Sequence, residues 1–364
     1  MRRRFASGRR SRLYFRAMEN LIRRMPKVEL HVHLEGAIRP ETLLRLAERN
    51  RVRLPAGTAE ELRAWYTFTD FAHFVDIYLA ISACICSPED IEFVAREFLR
   101  GQAAQNVRYS EVTFTPYTHY HLNRRIPFAE QLAALGGARR WAEAELGVGV
   151  GWVLDISRNV RPVEHGLTVA EWAIGGMADG VVALGLGGPE DGHPPEPFAE
   201  AFDRARAAGL ASLPHAGETA GPPSMWGALE ALHARRLGHG VRCLEDPALV
   251  ARLRERQIPL EVCPTSNICL GVAPSLAEHP LPRLLAEGLY VTLNSDDPPM
   301  FNTTLTDEYL RAAAAFGFGA ETIEQLVLNG VRATLLPEPE RAAMEREFRR
   351  EFARLRTEAD GDEI

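Results

Sequence analysis

Short apolar runs rich in β-branched residues recur along the chain, and after most of them apolar side chains return every three to four positions, the spacing of a helix with one buried face. The runs at 28–33, 107–114, 148–156, 181–186, 210–215, 236–239, 258–263 and 290–294 predict eight strands. Helical spacing follows them, as at 39–50, where Leu43, Leu44 and Leu46 stand behind Pro40 in the first turn, and at 128–145, 163–177 and 198–208. Strand and helix alternating in this way predict a single (β/α)8 TIM-type barrel rather than two domains. The alternation is interrupted once. Residues 51–105 hold helical patterns and no strand, which predicts a helical insertion after strand 1. Its aromatics Phe71 and Phe74 serve as core contacts or, lying beyond a strand's carboxyl end, as the roof of a pocket. From residue 305 onward only helical spacing remains, so extra C-terminal helices are expected.

With 46% hydrophobic residues in 364, the chain can fill the core of such a barrel. A net charge of −7 gives the surface no general attraction for nucleic acid or an anionic membrane, and no run approaches the roughly 20 apolar residues that span a bilayer. The partner left by these numbers is a small molecule; nothing in them sets the oligomeric state. The one basic concentration, Arg2 to Arg16, lacks the apolar centre of a signal peptide. Residues 1–25 are therefore expected as a disordered Arg-rich tail ahead of a barrel domain at 26–364. Five cysteines, an odd number without repeated spacing, fit free thiols in a reducing cytoplasm. Lys27 is the only lysine, so Schiff-base chemistry, a lysine grip on phosphate or a metal-bridging modified lysine would all have to use that one residue.

In a barrel of parallel strands the loops at the carboxyl ends build the active site, and here those ends are polar. Strand 1 ends in His31-Val32-His33, where the two-residue period of a strand puts both imidazoles on one face. Strand 5 ends in His215-Ala216-Gly217-Glu218, strand 6 in His239, and strand 8 in Asn294-Ser295-Asp296-Asp297. Strand 4 ends in Gly187-Gly188 and strand 7 in Cys263-Pro264-Thr265-Ser266-Asn267. Any one of these alone is an ordinary core histidine, turn or helix cap; together at one barrel face they predict a shared metal site. Three imidazoles and one carboxylate suit zinc, or another divalent transition metal, with a position left for a water molecule that ionises near neutral pH. A second ion needs a bridging group, and 181–188 contain no lysine to supply one, so one ion per chain is expected. Glu218, three residues beyond His215, is placed to face the substrate. Burial raises its pKa, so that it carries a proton to a ring nitrogen. His239 and Asp297 are left to orient and deprotonate the water or to bond the substrate ring, and Gly188 lets its amide approach a flat ligand.

In order along the chain, His31-Val32-His33-Leu34-Glu35-Gly36, His215-Ala216-Gly217-Glu218, Leu237-Gly238-His239-Gly240 and Asn294-Ser295-Asp296-Asp297-Pro298 resemble the motif set of the adenosine deaminase family, over residues 26–335. The resemblance implies hydrolytic removal of the 6-amino group of an adenine nucleoside, with release of ammonia. It implies zinc on His31, His33, His215 and Asp296, proton donation to purine N1 by Glu218, and His239 and Asp297 beside the attacking hydroxide and the purine edge. It also places the amide of Gly188 on the ring. The paired His-x-Glu and Pro-Cys-x-x-Cys signature of cytidine-type zinc deaminases is absent, since no Pro-Cys-x-x-Cys occurs.

One position departs from the pattern. Glu35 stands where adenosine deaminases proper carry the Asp that holds the ribose 5′-hydroxyl. Relatives with Glu there include adenine deaminases and the deaminases of 6-aminodeoxyfutalosine, a menaquinone precursor with a carboxylate-bearing aryl extension at the 5′ position. With the stretch Asn294 to Phe301, this points to 6-aminodeoxyfutalosine as substrate, ahead of adenosine and then adenine. Glu35 then reads the 5′ side, and Arg39 or Arg158 is the expected partner of the carboxylate. Two further readings keep the barrel: a two-metal amidohydrolase cleaving amides or phosphate esters, and a binding protein with a vestigial site. The second conflicts with a motif set in which no ligand or catalytic position is lost.

Overall fold

Each predicted strand finds its neighbours in sequence order. In the computed structural model, which describes residues 16–122 and 125–361, β1 (Lys27–His33), β2 (Val107–Phe114), β3 (Gly149–Ser157), β4 (Val181–Gly187), β5 (Ala211–Ala216), β6 (Leu237–His239), β7 (Leu260–Val262) and β8 (Val291–Leu293) pair in parallel, each with the next. The strands read as near-continuous buried runs because helices cover the outer face while the inner face fills the barrel. At the seam the β8 end is stitched to β1: His33 N–H donates to the Asp296 carbonyl at 2.9 Å and Asp296 N–H to the His31 carbonyl at 3.0 Å. Below them the Asn294 side-chain oxygen accepts the Leu30 N–H at 2.9 Å, replacing a strand carbonyl. The result is a nearly closed (β/α)8 barrel. Strands β6 to β8 are shorter than the runs that predict them, β6 at its amino end and β7 and β8 at both ends; His239, the last residue of β6, and Asp296, beyond β8, adopt left-handed backbone, φ 60° and 68°.

Between β1 and β2 lie the helices Pro40–Asn50, Ala59–Trp65, Phe71–Ser82 and Pro88–Ala104. The third begins where the Asp70 carboxylate accepts the His73 N–H at 2.9 Å, an N-cap that fixes its entry over the barrel mouth. The chain ends in the helices Leu305–Phe316, Ala320–Ala333 and Glu338–Gly361.

The tail expectation needs correction for residues 16–25. Residues 16–24 are helical, and Met18, Leu21, Ile22 and Met25 are buried in the same apolar cluster as Val28, Leu328 and Phe352. Their i, i+3, i+4, i+7 spacing is that of a helix with one apolar face, and burying that face stabilises the segment. Residues 1–15 lie outside the described residues. Lys27 is buried at the amino end of β1, the barrel end opposite the polar loops, where its ammonium donates to the carbonyls of Met25 and Gln105 at 2.9 and 3.0 Å. Among the described residues no helix is long and apolar enough to cross a membrane.

Candidate active site

At the carboxyl end of the barrel, His31 and His33 from β1, His215 from β5 and Asp296 beyond β8 each offer an atom within 4.8 Å of the others. The ring orientations are set from behind. His31 Nδ1–H donates to Glu261 at 2.8 Å and His215 Nδ1–H to the Leu186 carbonyl at 3.1 Å, so both rings turn an Nε2 lone pair inward. Glu261 is held in turn by the buried guanidinium of Arg236, which also binds Glu111. Ser266 Oγ donates to Asp296 Oδ2 at 2.6 Å.

The donor set fits a divalent cation. His31 Nε2 is buried with no hydrogen-bond partner, and His33 Nε2 faces His215 Nε2 at 3.1 Å, two imidazole nitrogens directed at one point. Burial disfavours charge on His31, yet the Asp296 carboxylate 3.5 Å from Nε2 and the bonded Glu261 outweigh it and raise the ring to about 10, a sign that the surrounding field favours positive charge here. His33 and His215 are pushed down, mainly by burial, and offer neutral rings. His239 and Cys263 also approach Asp296, from its other side.

Around this centre stand the groups expected to work on substrate. Glu218 lies on a loop fixed by a residue that sequence reading missed. The Glu190 carboxylate accepts the N–H groups of Gly217, Glu218, Thr219 and Ala220 at 2.9, 2.8, 2.9 and 3.3 Å, and the Ser224 hydroxyl. Burial first, then the charges of Asp296 and Glu190, push Glu218 well above the usual carboxylate range. Burial and Asp296 do the same to Asp297, whose Oδ1 has no partner. Asp297 packs so closely on the β1 end that a Cβ at Gly36 would lie 1.6 Å from Oδ1, which is why the motif ends in glycine. Gly188 turns with φ 92° at the cavity wall.

His239 Nε2 lies 3.7 Å from Glu218 and 3.8 Å from Asp296. Its tautomer follows from a chain of bonds behind it. The Leu281 N–H donates to His279 Nδ1 at 3.1 Å, so His279 Nε2 carries the proton and donates to Asn267 Oδ1 at 3.1 Å. The Asn267 amide then donates to His239 Nδ1 at 3.3 Å, leaving the His239 proton on Nε2, toward the cavity. Burial pushes His239 down to about 3 and His279 down to about 4, so both rings are neutral links.

The cavity, about 860 Å³ and partly open to solvent, takes Phe71, Phe74, Val75, Tyr78 and Leu79 from one face of helix Phe71–Ser82. His33, Gly188, His215, Glu218, His239, Asp296 and Asp297 line it; Glu35 does not. One Glu35 oxygen accepts the Thr115 N–H and the His119 Nε2–H, both at 3.0 Å, and the other accepts the Tyr78 hydroxyl at 3.2 Å. Glu35 thus meets the cavity through Tyr78. Neither arginine expected to meet a carboxylate lines it either: Arg39 pairs with Glu97 beside a separate cavity, and Arg158 is buried behind the wall, donating to the His215 carbonyl at 2.6 Å. Among the described residues no Arg or Lys lines the cavity.

The sequence profile described as adenosine deaminase matches residues 26–350. The chain belongs to the adenosine deaminase family. An aminodeoxyfutalosine deaminase of Streptomyces coelicolor is 44% identical over 333 residues, 90% of this chain and 84% of that protein. A solved adenine deaminase from Arthrobacter aurescens superposes with a TM-score of 0.85 at 34% identity, covering 90% of this chain and 98% of that one. An amidohydrolase from Burkholderia ambifaria solved with bound zinc gives 0.87 at 28% identity, with 95% of each chain covered. This member of the adenosine deaminase family is a hydrolytic aminohydrolase of the adenine type, and its relatives are metal-dependent.

Proposed function

We propose that the enzyme deaminates 6-aminodeoxyfutalosine with one zinc ion per chain, as a cytoplasmic protein whose partner is this small molecule and neither nucleic acid nor membrane. The substrate reading is carried by the cavity rim. Phe71, Val75, Leu79, Val160 and Leu270 line it with apolar, partly exposed side chains, which suit an aryl 5′ extension. The 44% identity to an aminodeoxyfutalosine deaminase supports the same choice. With no Arg or Lys among the described lining residues, the carboxylate at the tip of the extension points to solvent.

In this reading His31, His33, His215 and Asp296 hold the zinc ion. Bound there, the ion supplies the Lewis acidity that makes water acidic enough to ionise near neutral pH. The remaining work belongs to the chain. Phe71 and Phe74 cover the base, and the Gly188 amide meets its edge. Glu218, kept protonated by burial, gives its proton to purine N1, drawing electrons from C6 toward the ring nitrogen as water attacks. His239 donates from Nε2 and orients the attacking oxygen, and Asp297, which an adjacent cation would keep ionised, accepts the water proton and passes it to the 6-amino group as the C6–N bond breaks and ammonia leaves. Glu35 acts through the Tyr78 hydroxyl, which it anchors at the cavity wall.

A second reading, adenine as substrate, is favoured by the 34% identity to the solved adenine deaminase. The ultraviolet change on deamination separates them. With 6-aminodeoxyfutalosine, adenosine and adenine assayed side by side, kcat/KM is expected to be highest for the first, by about tenfold or more. Efficient turnover of adenosine or adenine without turnover of 6-aminodeoxyfutalosine overturns the proposal.

A further inference from the structure

One carboxyl group in the cavity takes part in none of these steps. Asp155, near the carboxyl end of β3, is only 3% exposed and lines the cavity with Ser157, Gly187 and Gly188. Its Oδ1 has no hydrogen-bond partner, at a depth where an unpaired carboxyl oxygen is costly. The neighbouring strand is shaped around it. A Cβ at Gly185 would lie 2.6 Å from Oδ1 and one at Gly187 2.4 Å from Oδ2, so the carboxyl fills the space that side chains on β4 would otherwise take. The charges of His31 on β1, of Glu35 just past its end, and of Arg158 three residues on in sequence all act on it. Burial pushes Asp155 up to about 8 against the pull of Arg158. The Gly187 N–H bonds the carboxyl, which leaves Oδ1 unpaired at the wall of a ligand cavity, where a ligand can satisfy it.

We propose that Asp155 is a substrate-binding residue whose carboxyl group hydrogen-bonds the adenine compound on the side facing β3 and β4. As a neutral acid it offers one O–H donor and one acceptor oxygen, which match a ring nitrogen or a sugar hydroxyl rather than a cation. No proton is transferred; the bond contributes to binding in ground and transition state alike. The inference rests on the deaminase reading of this cavity but not on the choice among its substrates.

The test uses the full-length, zinc-loaded enzyme and the same three substrates. Asp155→Ala removes the carboxyl; Gly185→Ala keeps it and displaces it, so the question stays open to measurement if the first variant folds poorly. For both, KM on the best substrate is expected to rise about tenfold or more while kcat changes less than about threefold, the mark of a lost uniform binding contact. Metal content should match the unsubstituted enzyme. Asp155→Asn, which keeps a donor and an acceptor at the same atoms, is expected to return KM to within about threefold of the unsubstituted value. Unchanged KM in a folded, metal-loaded Asp155→Ala or Gly185→Ala enzyme overturns the assignment, and so does a loss confined to kcat or metal content. Failure of the unsubstituted enzyme to deaminate any of the three substrates would count instead against the functional reading, and that control is read first.

Discussion

Glu261 and Glu218 are both buried carboxyls beside the metal ligands, but they face different partners. Glu261 takes the Nδ1–H of His31 and is pinned by Arg236, so it fixes which nitrogen His31 offers a cation. Glu261→Gln keeps the volume but weakens that acceptor and leaves Arg236 with one charged partner fewer. Zinc affinity is expected to fall about 10- to 100-fold, measured by competition with a chelator. Glu218→Gln, in contrast, should bind zinc as before and lose most activity, on the order of 10²- to 10⁴-fold, because an amide cannot deliver a proton. Equal metal affinity in the first variant, or an unchanged rate in the second, would contradict the assigned parts. The difference also explains what the sequence reveals at this scale. His31 and His33 are legible because strand period alone puts both imidazoles on one face. Glu261 is not, since 230 residues separate it from the ring it orients; Asn267 behind His239 and Glu190 behind Glu218 are nearer, 28 residues each, but lie on other strand ends and meet their partners only in the closed barrel. Asp155 escapes notice because it reads as one polar residue in a buried strand run.

Strand β1 carries opposite chemistry at its two ends, with metal ligands at the carboxyl end and the only lysine at the amino end. Lys27 is fully buried, and burial, helped by the charge of Arg23, pushes it down to about 7. The unfolded chain keeps an ordinary lysine near 10.5, so between these values it binds more protons than the folded protein. Stability therefore rises with pH from about 7 to about 10.5, by up to roughly 1.4 kcal/mol per pH unit from this group, and is lost on the way down. Denaturant midpoints of the natural protein and of Lys27→Met, compared at pH 7 and pH 10, should show the difference shifting toward the natural protein at the higher pH. A pH-independent difference would mean that Lys27 stays charged in the fold. Element positions are largely readable from periodicity, as β2 at Val107–Phe114 and the carboxyl end of β6 at His239 illustrate, while the ends of β7 and β8 are not, because apolar residues such as Ile258 and Tyr290 continue the run outside the ladder. The helix at 16–24 has a readable apolar spacing at Met18, Leu21, Ile22 and Met25, but arginines flank it and mask the pattern.

At the scale of the whole barrel, the proposed metal ligands straddle the seam that joins its last strand to its first. His31 and His33 lie on β1, Asp296 beyond β8 on the other side of the seam, and His215 across the barrel on β5. The seam has two backbone bonds, the Asn294 amide, and the bonds of Ser295 to Glu29, against the longer ladders between β1 and β4. Without a cation, buried carboxyls at Glu218, Asp296 and Asp297 crowd together, and the His31 lone pair has no partner. An ion that binds only the folded chain stabilises it by about 4 kcal/mol when present at about a thousand times its Kd. Removing zinc with a chelator is therefore expected to abolish activity, lower the melting temperature by several degrees, and speed hydrogen exchange at the carboxyl end of β1 and at residues 294–297, with all three restored by one equivalent of zinc. Two equivalents per chain would place a second ion at His239, Cys263 and Asp296, with Asp296 as the bridge, and would bring back the two-metal reading. A melting temperature indifferent to the ion would instead mean that the seam holds without it and that the ligands serve only the chemistry.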